Sequence, residues 1–485
     1  MCGIYACTGG TNPPKDVLRH RGPDQCFDTM AGMTFWRLAI NGGADGLQPL
    51  QYNDKFIVAN AEIYNHLFLG GTEGRSDCEV ILPTIEAHGL PRACELFSGD
   101  FAFVYTDGVN WWAARDSVGV RPLYYCRHSK GIAFASEAKG LLHLKGRIEA
   151  FPPGHLYDSR LDKFICWSPN YWQSPREDMD ADFVQSHIRH LLTEAVDLRV
   201  HNTGRPVGFF LSGGLDSSIV AALGKQILGG EKLRTFAVGL AGAPDLIAAR
   251  KMADFLGSDH TEVLFTVEEG LAALKEVIWH LETYDTTTIR ASIPMYLLSK
   301  YIKEHTDIRV VLSGEGSDEL FGGYLYFHGA PDIDKFRLES NRLVQDVHMF
   351  DVLRADRTTA AHGLEVRVPF FDRDVIDYVM DGFSTELKQP RDGYEKYILR
   401  KAFEDIRPRD IAWRQKNGMS DAVGYAWAEA LRKNGEDKYQ KIFRAQFGEG
   451  LDHLVPYKWM PKWFATNDPS GAMLPVFSDN TEKTA

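Results

Sequence analysis

The sequence predicts two domains of different class: an α+β domain of largely antiparallel sheets with few helices, then an α/β domain with a parallel sheet and a mostly helical C-terminal part. Three observations predict it. A chain of 485 residues is too long for one compact core, and ordinary domain sizes divide it into two or three. Up to residue 166 the apolar segments are short and β-rich, whereas beyond 182 strands and helix-length segments alternate, which is the rhythm of a parallel sheet with helices on both faces. Between the two rhythms lies SPNYWQSPREDMDAD, residues 168–182, whose Pro, Ser and charge mark a boundary. The expected division is 2–166, a linker 167–182, a second domain 183–465 and a poorly ordered tail 466–485.

In the first part CGIYACT, MTFWRLAI, KFIVANA, DFAFVYT, NWWAARD, GIAFAS and KFICW are bounded by Gly, Asn and Asp and read as strands. SDCEVILPTIEAHG reads as a helix over 77–88, with Ser76 as N-cap and Gly89 as its stop. The second part runs strand RPVGFFLS, helix 216–228, strand RTFAVGL, helix 245–256, strand TEVLF, helices 267–281 and 294–304, and strand IRVVLS. Beyond about 330 the chain reads mostly helical.

Composition narrows the function. Hydrophobic content of 44% and charged content of 25% describe a soluble globular chain. A net charge of -12 with no basic tract opposes a nucleic-acid partner. The seven cysteines are scattered and form no CxxC pair, so a reducing compartment without structural zinc is expected. No apolar run approaches the roughly 20 residues that span a bilayer, and the N-terminus lacks the layout of a signal peptide. The expectation is a cytosolic protein with no membrane partner. The 16 histidines show no metal-ligand spacing, and NWWAARD reads as sheet core rather than a stacking platform.

VGFFLSGGLDSSIVAAL passes from a strand through Ser212, Gly213 and Gly214 into a helix with Ile219, Leu223 and Ile227 at i+4 spacing. Such a turn aims unpaired backbone N–H groups at one point, where an anion is stabilised. It is not a Walker A loop, because no Lys-Ser or Lys-Thr follows the glycines. A tight βα turn is the plain structural alternative. Ser212, Ser217 and Ser218 add hydroxyls, however, and Asp216 places a carboxylate beside the anion, which makes sense if Mg²⁺ bridges it to phosphate. A later strand ends in VVLSGEGSDELFGGY, where Ser313, Gly314 and Gly316 allow close approach and Glu315, Asp318 and Glu319 gather acids. The carboxyl edge of a parallel sheet is where ligands bind. Three acids in one Gly-rich loop repel each other, which favours a metal or catalytic role over a solvated turn.

SGGLDSS resembles the pyrophosphate loop of the adenylating ATP-pyrophosphatases. With SGEGSDELFGGYLYFH, ETYDTTTIRASIPMY and GLEVRVPFFD, the region 205–425 closely resembles the glutamine-dependent asparagine synthetases. The resemblance implies ATP and L-aspartate as substrates, an aspartyl adenylate, and release of AMP and pyrophosphate. It places Phe210, Leu211, Val238, Ser313 and Gly314 on the nucleotide, and Ser212, Gly213, Gly214, Asp216, Ser217 and Ser218 on pyrophosphate. Asp216 and Asp318 would hold Mg²⁺, and Thr287, Thr288 and Arg290 would form a loop at the aspartate. Lys416 would contact phosphate. Glu315 is the candidate general base, with a magnesium ligand as its alternative reading.

MCGI, RHRGPD, RLAI, NAEIYN and SDCE resemble class II glutamine amidotransferases, which implies an N-terminal-nucleophile sandwich for the first domain. Removal of Met1 would give Cys2 both a thiol and an α-amine, with ordinary pKa values near 8.5 and 8, so that the amine can take the thiol proton. Taken alone, Cys2 reads more readily as a buried residue of a strand than as a nucleophile. The implied glutamine site comprises Arg37, Leu38, Ala39, Ile40, Asn41, Asn60, Ala61, Glu62 and Asp77. The Asn60 side chain and the Ala61 N–H suit an oxyanion, each worth roughly 3 kcal/mol; Arg37 suits the α-carboxylate, and Asp77 and Glu62 the ammonium. Arg37 also reads as a surface arginine and Asp77 as a helix-dipole acid. Ala61 stands where the family has glycine, and a need for left-handed backbone there would weaken glutamine hydrolysis. Ammonia must reach the adenylate unprotonated, hence through a dry passage between the domains. A β-lactam-forming synthetase is the nearest rival, but it has no need of Cys2, Arg37, Asn60 and Asp77. The family suggests a homodimer.

Overall fold

The computed structural model describes residues 1–28, 32–168, 179–415, 423–424, 427, 430, 435–456 and 461. The first part is built on twelve strands: β1 (Gly3–Cys7), β2 (Gln25–Asp28), β3 (Met33–Arg37), β4 (Leu50–Tyr52), β5 (Lys55–Ile63), β6 (Gly99–Thr106), β7 (Trp111–Arg115), β8 (Tyr124–His128), β9 (Gly131–Ala135), β10 (Ile148–Ala150), β11 (His155–Asp158) and β12 (Lys163–Cys166). They form two six-stranded sheets, ordered β10-β8-β9-β1-β3-β2 and β12-β11-β7-β6-β5-β4. Alternation explains the layering, since successive side chains leave opposite faces. Ile4 and Ala6 meet Val58, Val104 and Ala113 between the sheets. Tyr5 and Cys7 face the other way and pack with Leu274, Val277 and Ile293 of the second part. On the far side Phe101, Phe103 and Trp112 are covered by α1 (Ile81–His88) and α2 (Leu90–Leu96). The result is an α+β sandwich, and NWWAARD is sheet core in it.

The second part holds a parallel five-stranded sheet ordered β15-β14-β13-β16-β17, from β13 (Val207–Phe210), β14 (Arg234–Gly239), β15 (Asp259–Leu264), β16 (Val310–Leu312) and β17 (Glu365–Arg367). Its helices include α3 (Ala181–His201), α4 (Leu215–Leu228), α5 (Pro244–Leu256), α6 (Val267–Leu281), α7 (Thr286–His305), α8 (Ser317–Phe321), α9 (Ile333–Asp346), α10 (Asp351–Ala360), α11 (Arg373–Asp381) and α12 (Tyr397–Ala402). The α/β expectation holds, with three corrections. The expected linker ends early: Asp180 caps α3 by accepting from the Asp182 and Phe183 N–H groups. Val184, Ile188, Leu192, Val196 and Val200 of α3 recur every fourth residue and are buried, so this helix was legible and was overlooked. The helix expected at 294–304 starts at Thr286, capped by Asp285, with Pro294 inside it. A proline frees the carbonyl four residues back, and here the Trp427 indole donates to the Arg290 carbonyl at 3.4 Å. In the helix expected at 77–88, the first turn, Asp77–Val80, is 3₁₀ and α1 begins at Ile81; Pro83, which lacks an N–H, cannot complete an earlier α-turn.

The two parts are joined by buried charge. Arg21, Glu137 and Lys139 from the first meet Glu282, Asp356 and Arg357 from the second, each at most 5% exposed. Arg21 Nη1 reaches Glu137 at 2.8 Å and Asp356 at 2.7 Å, and Arg357 reaches Glu137 at 2.9 Å and Glu282 at 3.0 Å. Lys139 pairs with Glu137. A second seam joins Glu62 to Arg367 at 2.7 Å, and Glu365 to the Met1 ammonium at 3.2 Å and to Arg121 at 3.4 Å. Removing one member of such a set strands an opposite charge away from water. Arg357→Met is therefore expected to cost about 3–5 kcal/mol in urea unfolding, whereas Arg92→Met, which breaks a pair with Glu95 whose side chains are 60% and 38% exposed, is expected to leave the midpoint in place.

Candidate active sites

Cys2 stands at the head of β1, on the side of the sandwich that meets the second part. Its N–H donates to Asn60 Oδ1 at 2.9 Å, and its Sγ receives the Leu38 N–H at 3.5 Å. Asn60 is 2% exposed, and its Nδ2 has no hydrogen-bond partner among the described residues. A buried amide donor left unpaired beside a thiol is costly unless a ligand oxygen completes it. Ala61 adds a second donor on the same edge of β5. The N–H groups of Ala59 and Ile63 leave that edge to Gln48 Oε1 and Asp77 Oδ2, both at 2.6 Å, and the two-residue period sends the Ala61 N–H the same way. β4 pairs only with Lys55–Ile57, so no strand covers this stretch. Ala61 itself sits in the β5–β6 ladder opposite Phe101 and is absent from the residues with positive φ. The alanine is therefore unstrained, and the concern raised by the sequence falls away.

The rest of the predicted glutamine site gathers around this pair with its polar groups already engaged. Arg37 is buried and donates to Gln25 Oε1 and to the carbonyls of Asn41 and Gly43, which shapes the loop 41–46. The Ala39 N–H donates to Asp24, and Leu38 and Ile40 are buried apolar. Asp77 is 3% exposed, and burial pushes its carboxyl above the ordinary range. Glu62 faces the interface, where its Oε2 accepts from Asn41, Asn202 and Arg367. Burial also raises the Cys2 thiol, and Met1 is 1% exposed beside it.

A cleft of about 340 Å³ opens at the carboxyl edge of the parallel sheet. Phe210, Leu211, Ser212, Gly214, Asp216, Ser217, Val238, Thr287, Thr288, Ser313, Gly314, Glu315 and Asp318 all line it. Gly213 lies behind the loop at φ 69°, where a Cβ would sit 2.3 Å from the Ala248 carbonyl carbon, so only glycine fits. A Cβ on Gly314 would sit 2.7 Å from the backbone of Asp216, which is how closely the two loops approach. Ser218 is fully buried in α4, and Arg290 is 5% exposed; neither lines the cleft. Thr287, Thr288 and Arg290 lie in the first turns of α7 rather than in a loop, with Thr288 bonded to the capping Asp285 at 2.7 Å. Lys416 lies outside the described residues.

Two cleft cations, Lys396 and Arg354, are not marked by the sequence. The Lys396 ammonium, 1% exposed, bridges Asp216 at 2.7 Å and Asp318 at 2.6 Å. Arg354 Nη2 meets Glu315 at 2.6 Å, and its Nη1 meets Asp351 at 2.6 Å. Lys396 is 180 residues from Asp216, and nothing in EKYILRKAF distinguishes it. Arg354 lies nearer, yet DVLRADR offers two arginines with no local sign of which one turns to Glu315. Burial raises the Glu315 carboxyl while Arg354 opposes the shift, which moves it toward competence as a base.

A family model described as Glutamine amidotransferase domain matches residues 1–156, and one described as Asparagine synthase matches 187–343 and 330–454. "Asparagine synthetase [glutamine-hydrolyzing]" of Cricetulus griseus is 39% identical, covering 98% of each chain. The human protein of the same name is 39% identical, with 98% of each covered. "Probable asparagine synthetase [glutamine-hydrolyzing]" of Schizosaccharomyces pombe is 40% identical over 97% of this chain and 98% of that one.

The geometry around Cys2 predicts its reactivity. With Met1 in place and the thiol raised by burial, alkylation of Cys2 by iodoacetamide at pH 7 should be at least about 10-fold slower than that of the exposed Cys166. Excision of Met1 should close that gap, as read by peptide mass spectrometry over time. Equal rates at the two cysteines before excision would contradict it.

Proposed function

The chain belongs to the glutamine-hydrolysing asparagine synthetases, and from that premise we propose how its residues divide the reaction, which makes L-asparagine from L-aspartate with ATP and glutamine nitrogen. The observation that carries the division is the pairing of Cys2 with Asn60, whose carbonyl oxygen is engaged by the Cys2 N–H while its amide nitrogen stays unpaired. Once Met1 is removed, the Cys2 amine accepts the thiol proton, and Sγ attacks the glutamine side-chain amide. The oxyanion that forms takes hydrogen bonds from Asn60 Nδ2 and the Ala61 N–H. On collapse the Cys2 ammonium returns its proton to the leaving nitrogen, which departs as ammonia, and water then hydrolyses the thioester to glutamate and the free thiol. Arg37, through the loop it shapes, and Asp77 hold the α-carboxylate and the ammonium of glutamine.

Ammonia crosses to the cleft through apolar surroundings. Cys2 packs against the hydrophobic cluster that joins Leu38, Ile40, Val118 and Val120 to Phe210, Leu211 and Leu298, which line the cleft. A path of this kind keeps ammonia unprotonated. In the cleft the β-carboxylate of aspartate, beside Thr287 and Thr288, attacks the α-phosphorus of ATP and expels pyrophosphate held by Ser212, Gly214, Ser217 and their loop N–H groups. Ammonia attacks the acyl adenylate, Glu315 takes its surplus proton and AMP leaves. Lys416 contributes positive charge at the phosphates.

Asp216 and Asp318 converge closely enough to share the Lys396 ammonium, and oxygen donors of this kind suit Mg²⁺, which takes one or two carboxylates together with substrate phosphates. When bound there it would neutralise phosphate charge. The glutaminase half is assigned to 2–166 and the synthetase half to 183–465, preceded by the first residues of α3, with a homodimer in the cytosol as the working form. No helix among the described residues is long and apolar enough to cross a membrane. The β-lactam-forming alternative is not favoured, because the similar proteins hydrolyse glutamine.

Purified protein given ATP, Mg²⁺, aspartate and glutamine should yield asparagine, AMP and pyrophosphate in equal amounts. Cys2→Ala should abolish use of glutamine and keep use of added ammonia, and retained glutamine use would refute the nucleophile assignment. Asn60→Ala should lower glutaminase kcat about 100-fold or more. Ala61→Gly should leave it within about 3-fold, because the strand at that position is extended.

A further inference from the structure

Arg21 is fully buried and touches the nucleophile residue directly. Its Nε donates to the Cys2 carbonyl at 3.1 Å. Its two terminal nitrogens form a bidentate pair with Asp356, Nη1 to Oδ2 at 2.7 Å and Nη2 to Oδ1 at 3.0 Å, and Nη1 also reaches Glu137 at 2.8 Å. Asp356 belongs to the synthetase half, 335 residues further along the chain, on α10. Glu137, the partner from the glutaminase half, is shared with Arg357 and Lys139. It engages Arg21 through a single oxygen, which neutralises charge without setting the plane of the guanidinium. The fork formed with Asp356 does set that plane, and the plane aims Nε at Cys2.

We propose that Asp356 is a positioning residue for glutamine hydrolysis: a carboxylate of the synthetase half that, through Arg21, fixes the backbone of Cys2 against Asn60. The glutaminase site is then complete only when the two halves are docked. The inference rests on Cys2 being the nucleophile. The same helix carries Arg354, whose guanidinium holds Glu315 in the cleft, so α10 contacts the supports of both reactions within two of its turns. Neither Asp356 nor Arg21 lies among the groups expected to bind glutamine, so their effect belongs on kcat and not on KM. A displacement of the nucleophile by about 1 Å can cost 100-fold in rate.

The test uses the full chain and Asp356→Asn. Glutaminase kcat should fall about 10–100-fold with KM for glutamine unchanged, alkylation of Cys2 after Met1 excision should slow in parallel, and ammonia-dependent asparagine synthesis should stay within about 2-fold. A merely structural role would lower both activities by the same factor and leave the kcat-to-KM split undisturbed; that result, or a glutaminase rate within about 2-fold of the parent, overturns the proposal. Should Asp356→Asn fail to fold, Asp356→Glu keeps the charge while shifting the fork, and the same selective loss of glutaminase is expected from it; unchanged glutaminase there overturns the proposal equally. Retained glutamine use in Cys2→Ala would remove the nucleophile reading and this inference with it. Loss of activity in Cys2→Ala with Asp356→Asn unaffected removes this inference alone.

Discussion

Arg21 sits where the two halves of the molecule meet, and the docking of the halves depends on how its charge is balanced. Its guanidinium is fully buried and bonded to a backbone carbonyl and two carboxylates. A charge in that position is tolerated only when it is paired and fully hydrogen-bonded. The pairing draws in Glu137, Asp356, Arg357, Glu282 and Lys139, which with Arg21 make three positive and three negative groups contributed by both halves. Neither half could bury its own share alone without leaving unpaired charge, so the docked geometry is strongly specified. That geometry sets the Met1 ammonium against Glu365 of β17 and ties Cys2, through Arg21, to Asp356 of α10.

The same seam leaves apolar surroundings between Cys2 and the cleft. Polar groups near the boundary are consumed in pairs: Arg367 binds Glu62, Glu365 and two carbonyls, and Glu365 is held well below the ordinary carboxylate range by the Met1 ammonium, Arg121 and Arg367. What remains around Cys2 once Met1 is removed is Leu38, Ile40, Val118 and Val120, continuous with the wall of the cleft. The backbone extends the link, since the Arg367 carbonyl accepts the Ser313 N–H at 3.0 Å at the start of the second nucleotide loop.

Features that depend on neighbours in the chain were legible in the sequence. The loop 212–218, the acids after β16 and most strands of both sheets announce themselves by local spacing, because strand, turn and helix start are chemically local. Short edge strands such as β2 and β4 were not legible, since too few residues carry the alternation. A proline normally opens a helix, which places the sequence's start of α7 too late; the Trp427 indole, far along the chain, takes up the Arg290 carbonyl that Pro294 leaves free. The cations Lys396 and Arg354 escaped because a lysine or arginine in a helix is ordinary until the fold supplies its partner. Ala61 shows the converse: a departure that looks damaging in a motif is harmless once the strand conformation is known.

The central claim is that one docked interface delivers ammonia from Cys2 to the cleft without exchange with solvent. It is tested most directly by supplying glutamine labelled with ¹⁵N in its side-chain amide, together with ATP, Mg²⁺, aspartate and unlabelled ammonium below its own saturating concentration, and measuring ¹⁵N in the asparagine by mass spectrometry. The account predicts that the asparagine amide keeps the label nearly undiluted as bulk ammonium is raised. Dilution in proportion to the bulk ammonium would contradict it.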